Sequence, residues 1–338
     1  MPNRYARQTI LPGVGTAGQE KLSNAKILII GCGGLGGPVA AYLAGAGVGT
    51  ISLVDGDVVS ESNLHRQVFF TEVGVGKASA LAAHCSSLNP GTRVRALNKM
   101  LDGGNIRALV AGHDLVLDCT DAPLIKHALS DACYHLRTPL VYAAAQAFSG
   151  YLALFPMAGD DPVHLRDLYS APDPALPDCA TTGVLGTAVG TVALLQANAA
   201  LCFLLGIGQP PVNQLLTYSA LDNAQMKIGI AKTYENPVPK PWAKSPPTAV
   251  REVTAYDPKA YDGVFSLLSE AKEPNLLPGA ERLPQRDPRS AALERMEDGK
   301  RYLLYCNSGK ISLVLAGQLA AARPGVEVVS LRRVRTEL

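Results

Sequence analysis

Asn63, Arg66, Gln67 and Lys77 crowd one short stretch of the chain, with Ser62 at its head. Arg and Lys stabilise charge that develops on phosphoryl oxygens in a transition state, and neutral side chains beside them orient such oxygens by hydrogen bonds. Upstream lie a glycine run, Gly31-Cys32-Gly33-Gly34-Leu35-Gly36-Gly37, and two acids, Asp55 and Asp57. Glycines let the backbone approach phosphate, a helix N-terminus offers free N–H groups, and an acid can accept from ribose hydroxyls. Glycine turn and acid alone describe the dinucleotide site of an oxidoreductase. Such an enzyme has no task for Arg66, Gln67 and Lys77, so the set points to chemistry on a triphosphate.

The elements that must position these residues follow from the apolar pattern. Ile27 to Ile30 reads as a buried parallel strand, Pro38 to Ala46 as an alanine-rich helix, and Thr50 to Val54 as a second strand closing on Asp55-Gly56-Asp57. A helix is expected after Lys77, running to Leu88 and ended by Asn89-Pro90, and a strand from Arg93 to Ala96. Asp114 to Asp121 is a further strand. Ligands bind beyond the carboxyl ends of strands in open sheets, which puts Asp121 where a magnesium-binding carboxylate belongs. The same acid could instead cap the helix that follows. Pro139 to Tyr142 and Gly150 to Phe155 read as later strands, and Pro210 to Ile230 as two more. Asp160 to Asp178, with four prolines, reads as a loop. The fold class is α/β, a Rossmann-like, mostly parallel sheet with helices on both faces.

Composition narrows the classes. Hydrophobic residues at 47% against 18% charged describe a packed globular protein, and a net charge of +2 argues against nucleic acid as partner. Gly186 to Gly208 is apolar enough for a membrane span, yet Gln196 and Asn198 at its middle favour a buried helix. No apolar secretory segment precedes the first strand and the seven cysteines are spread singly, so a cytoplasmic location is expected.

Seven segments together carry a family resemblance. They are Arg4-Tyr5-Ala6-Arg7-Gln8, Gly18-Gln19, the glycine run, Tyr42 to Gly49, Ser62-Asn63-Leu64-His65-Arg66-Gln67, Asp118-Cys119-Thr120-Asp121, and Cys179-Ala180-Thr181-Thr182-Gly183-Val184-Leu185-Gly186. In this order they resemble the ThiF/MoeB/HesA adenylyltransferases, relatives of ubiquitin-activating enzymes that activate ubiquitin-like sulfur carriers. The resemblance implies ATP on the glycine turn (Gly31, Gly33, Gly34, Gly36) with its ribose on Asp55 and Asp57 nearby. It implies a triphosphate held by Ser62, Asn63, Arg66, Gln67 and Lys77, Mg²⁺ on Asp121, and a homodimer in which Arg7, with Arg4 close by, reaches the neighbouring subunit's nucleotide. Cys179 matches the family's thiol position for acyl-thioester or acyl-disulfide chemistry; its other reading is a small residue starting the long helix. Where the family has Asn after the metal-binding Asp, this chain has Ala122.

Bacterial relatives carry two Cys-x-x-Cys pairs that close a structural zinc site. Here the first pair falls on Val163 and Arg166, and Met226 to Trp242 contains no cysteine, so no structural zinc is expected. Tyr234 to Val250 holds five prolines and reads as a linker, dividing an ATP-binding domain (1–233) from a C-terminal domain (251–338). In the latter, a strand, the loop Cys306-Asn307-Ser308-Gly309-Lys310-Ile311-Ser312 and a helix resemble the active loop of a small α/β rhodanese-like domain. That makes Cys306 the candidate sulfur carrier, supplied by a persulfide donor such as a cysteine desulfurase. Ile311 stands where that family has Arg.

The combined expectation is adenylation of the C-terminal Gly-Gly carboxylate of a ubiquitin-like carrier, followed by sulfur transfer to a thiocarboxylate. A non-catalytic nucleotide- or carrier-binding protein, adenylation of a small molecule or peptide, and an NAD-dependent oxidoreductase remain as alternatives.

Overall fold

The computed structural model describes residues 4–172, 183–242, 251–270, 273–284, 287–306 and 310–331. The chain divides into two compact units, Met1–Ala243 and Lys244–Leu338.

The first unit opens with α1 (Ala6–Thr9) and α2 (Gly15–Asn24), then alternates β1 (Lys26–Ile30), α3 (Gly36–Gly45), β2 (Thr50–Val54), α4 (Lys77–Leu88), β3 (Arg93–Leu97), α5 (Ile106–Val110), β4 (Leu115–Asp118), α6 (Pro123–Leu136) and β5 (Leu140–Gln146). It continues with β6 (Ser149–Phe155), α7 (Leu165–Leu168), α8 (Gly186–Leu205), β7 (Gln214–Ser219) and β8 (Gln225–Gly229). The strands form one eight-stranded sheet in the order β3-β2-β1-β4-β5-β6-β7-β8. Pairing is parallel from β3 to β5 and antiparallel from β5 to β8.

Strand β1 shows why its sequence does not alternate. Ile27 and Ile29 pack with Val39 and Leu43 of α3 and Leu81 of α4, whereas Leu28 and Ile30 pack with Leu109 and Val110 of α5 and Leu129 of α6. Both faces are covered, so both must be apolar. Each such side chain contributes about 1.5–3 kcal/mol on burial. Pro38 falls in the first turn of α3, where its missing N–H costs nothing.

Helix α8 is long and apolar enough to cross a membrane, 20 residues with mean hydropathy 1.9. It packs instead on the sheet: Val189, Val192, Ala193 and Ala197 share a core with Val141, Ala143 and Leu152. Gln196 at its middle donates to the carbonyls of Asp118 and Val141, both at 3.0 Å.

Two expectations need correction. Strand β4 ends at Asp118 rather than running on to 121, because the Asp118 carboxylate takes the N–H and hydroxyl of Thr120 and turns the chain. Within the stretch read as a loop, 165–168 is helical, started by a capping box between His164 and Asp167. Residues 234–242 pack on the first unit through aromatic anchors: Tyr234 lies against His164, and Trp242 against His135 and Arg107.

The second unit contains β9 (Arg251–Val253), β10 (Gly263–Ser266), β11 (Ala280–Arg282), α9 (Pro288–Arg295), β12 (Arg301–Tyr305), α10 (Lys310–Ala322) and β13 (Glu327–Leu331). Its sheet is fully parallel, in the order β11-β10-β12-β13-β9. Alternate residues of β12 serve opposite cores, Leu304 on the side of α9 and α10 and Leu303 on the other.

Candidate active site

Strand order reverses at β1, which has β2 on one side and β4 on the other. A crevice opens beyond the carboxyl ends of strands at such a point. The glycine turn leaves β1 there, and Cys119-Thr120-Asp121 leaves β4. They fit together without slack. Gly31 adopts φ +91°, and a Cβ on it would lie 2.6 Å from the Cys119 carbonyl oxygen. No other residue type satisfies both the dihedral and the clearance.

The stretch read as phosphate-handling closes on the same turn. A Cβ on Gly33 would stand 3.2 Å from the Gln67 side-chain nitrogen, and one on Gly34 3.2 Å from the Arg66 carbonyl oxygen. A short 3₁₀ turn, Glu61–Asn63, sets this up: the Asn63 carbonyl accepts the N–H of Arg66 at 3.1 Å and of Gln67 at 2.9 Å. Gln67 is buried, and its Oε1 has no partner among the described residues. An orphaned acceptor beside a glycine turn fits a site that awaits a polar ligand. Arg66 is held by the Ser62 carbonyl at 3.2 Å and the His65 ring at 2.7 Å, and Ser62 itself is exposed.

The two acids divide their work. Asp55 accepts the N–H of Cys32 in the glycine turn and of Asp57, each at 2.8 Å. Burial pushes its pKa above the ordinary carboxylate value. Asp57 pairs with Lys77 at 3.3 Å. Lys77 is the first residue of α4, and its side chain is buried against this acid rather than waving in solvent.

Asp121 is exposed and makes no hydrogen bond or ion pair among the described residues. It does not cap α6, whose N-cap is Ala122 without any side-chain cap bond. Mg²⁺ bound to a nucleotide needs only one or two protein carboxylates, because phosphates and water complete its shell, so a lone free carboxylate fits it. Among the described residues no three His, Cys, Asp or Glu side chains converge to hold a metal unaided.

Other residues stand apart. Arg4 donates to the Leu88 carbonyl at 2.9 Å, and Arg7 is exposed on α1 with no hydrogen bond or ion pair among the described residues. Cys179 lies outside the described residues. Cys306 sits in the second unit, buried at the end of β12, with its sulfur 3.4 Å from the Ser312 N–H and 3.5 Å from the Ser312 hydroxyl. Residues 307–309 of its loop are outside the description. Sequence reasoning missed Lys126, whose ammonium forms a buried ion pair with Asp118 at 3.1 Å; a lysine eight residues after an aspartate carries no signal of that contact.

The zinc position does not fit zinc. Val163 offers no donor, and Arg166 is committed to the Asp131 carboxylate by two bonds of 2.7 and 2.8 Å. Beside them lies Asp167, whose carboxylate accepts from the His164 ring and from the N–H groups of Thr233 and Tyr234, all at 2.8 Å. Asp167 thereby ties α7 to the chain that follows β8.

The geometry defines an α/β protein with a glycine turn at the topological switch point of its sheet and basic side chains beside that turn. The family model described as ThiF family matches residues 5–238. The chain is 40% identical over 243 residues to the sulfur carrier protein adenylyltransferase of Thermus thermophilus, a match covering 70% of this chain and 90% of that one. It is also 40% identical over 240 residues to the probable adenylyltransferase/sulfurtransferase MoeZ of Mycobacterium tuberculosis, covering 69% of this chain and 61% of MoeZ. Among solved structures, Escherichia coli MccB with MccA-N7isoAsn aligns with TM-score 0.62 at 22% identity, over 70% of this chain and 75% of that one, a likeness of fold. The chain belongs to the ThiF family.

Proposed function

We propose that the protein adenylates the C-terminal Gly-Gly carboxylate of a ubiquitin-like sulfur-carrier protein and then passes sulfur to it. The observation that supports this most is the convergence of the glycine turn, Arg66-Gln67 and the Asp121-bearing end of β4 on one crevice, in a chain of the same family as a sulfur carrier protein adenylyltransferase. The crevice would hold ATP with phosphates on the turn and ribose on Asp55, and Asp121 would hold Mg²⁺, which neutralises phosphate charge when bound.

A carboxylate oxygen of the carrier attacks the α-phosphorus, the bond to the β-phosphate breaks, and pyrophosphate leaves with the electron pair. Arg66 and Lys77 meet the charge growing on the departing oxygens. Arg7, exposed and without a hydrogen bond or ion pair among the described residues, serves the neighbouring subunit of a homodimer. For sulfur transfer, a donor such as a cysteine desulfurase loads Cys306 as a persulfide. The terminal sulfur attacks the acyl carbon and expels AMP, leaving an acyl disulfide with Cys306. A second thiolate, Cys179 or an external thiol, then attacks the Cys306 sulfur and releases the thiocarboxylate; an external thiol reduces the resulting disulfide. The six free cysteines among the described residues suit a reducing cytoplasm.

The test is mass spectrometry of a Gly-Gly carrier incubated with protein, ATP and Mg²⁺. Acyl-adenylate is expected first, and thiocarboxylate once a persulfide donor is added. Carrier unchanged under both conditions would refute the reading.

A further inference from the structure

The end of β4 is unevenly held: Asp121 makes no hydrogen bond or ion pair among the described residues, while the three residues before it are each pinned. Asp118 is fully buried, and its carboxylate takes the Thr120 N–H at 3.0 Å and the Thr120 hydroxyl at 2.8 Å. Cys119 donates its backbone N–H to Ile30 and its thiol to Gln196 at 3.3 Å. Beyond Asp121, the Ala122 carbonyl accepts the backbone N–H of Lys126 at 3.1 Å.

Lys126 secures both sides of this turn. Its backbone holds Ala122, and its ammonium returns to Asp118 at 3.1 Å, to the Ala143 carbonyl on β5 at 2.6 Å, and over the Tyr142 ring at 4.8 Å. One buried cation therefore joins the end of β4, the start of α6 and β5, and leaves a single residue of chain, Asp121, projecting between anchored neighbours.

We propose that Lys126, acting through Asp118 and Thr120, is a positioning residue that sets the Asp121 carboxylate for Mg²⁺·ATP. The inference rests on the reading of Asp121 as the metal-binding carboxylate. Lys126 touches neither metal nor nucleotide. It neutralises Asp118, so the carboxylate at the strand end stays committed to Thr120 and leaves Asp121, exposed beside it, to meet a cation. A charge-preserving Arg satisfies both bonds; an apolar residue satisfies neither.

The experiment is Mn²⁺ binding to the full-length protein with ATP, read by the electron paramagnetic resonance of the bound ion beside metal-free ATP affinity. Lys126→Met and Thr120→Val are each expected to weaken Mn²⁺ binding about tenfold or more, as loss of outer-shell partners does, with metal-free ATP affinity unchanged. Lys126→Arg is expected to restore it. Thr120→Val matters because Lys126→Met strands a buried carboxylate and can fail to fold; the threonine change keeps size and shape. Wild-type Mn²⁺ affinity in Thr120→Val, beside a weakened Asp121→Ala, would overturn the positioning role alone. Wild-type affinity in Asp121→Ala would overturn the reading beneath it.

Discussion

The Asp55 carboxylate accepts the Cys32 N–H at 2.8 Å, so the acid that ends β2 and the glycine turn that follows β1 behave as one unit. Burial raises the Asp55 pKa, and a ribose hydroxyl donates more strongly to its anionic form than to the protonated acid. ATP affinity should therefore fall as pH drops from neutral, beginning above the range where an ordinary aspartate protonates. Asp55→Asn should bind ATP about tenfold or more weakly, because a bond to a charged acceptor is worth about 1.5–3 kcal/mol, and should lose that pH dependence. Calorimetric titration across pH checks both.

Lys77 begins α4 already paired with Asp57, which fixes the ammonium in place before any phosphate arrives. Lys77→Met should slow ATP–pyrophosphate exchange by about a hundredfold, the usual cost of one transition-state donor. Affinity for adenosine, which lacks phosphates, should stay unchanged. Titration with adenosine alongside the exchange assay separates the two effects.

Asp167 ties α7 to the chain after β8, and thermal unfolding should show what that tie contributes. Burial alone would raise its pKa, but the bonds from Tyr234, Thr233 and His164 outweigh burial and hold it low. Burial keeps His164 neutral, below its ordinary pKa. Both groups act in one direction. The unfolded His164 takes up a proton below about pH 6.5 while the folded one resists, and the Asp167 contribution is lost as pH falls through its lowered pKa. Stability should decline on acidification in those two stages. Asp167→Ala should cost about 3 kcal/mol by stranding buried partners, flatten the decline, and leave Tm insensitive to EDTA, as in the wild type.

Cys306 belongs to the second unit, where its sulfur lies within hydrogen-bond distance of the Ser312 N–H and hydroxyl. Cys306→Ala should leave acyl-adenylate formation within about twofold of wild type and abolish thiocarboxylate, since removing the nucleophile of one step spares an earlier one. Mass spectrometry of the carrier distinguishes the two products.

The site was legible where the chain itself carries the signal. Gly31, Asp55 and Lys77 sit at the ends of strands and at the start of a helix, and local pattern fixes such ends: β2 stops at Val54, as the sequence reading expected, and α4, expected after Lys77, begins at Lys77 itself. Contacts that skip along the chain were not legible. Asp167 meets Thr233 across 66 residues, and no periodicity announces such a pair. Nothing in the pattern distinguishes Lys126, because only the folded sheet brings Ala143 beneath its ammonium. Gln196 was visible as a polar interruption of an apolar helix; its task, bridging the carbonyls of β4 and β5, was not.

Carrier-dependent ATP–pyrophosphate exchange, run on wild type, Asp121→Ala and Cys306→Ala, tests the central claim most directly. The account predicts exchange that requires a carrier ending in Gly-Gly, disappears with Asp121→Ala and survives Cys306→Ala. ATP binding without exchange, whichever carrier is offered, would contradict it and leave a nucleotide-binding protein.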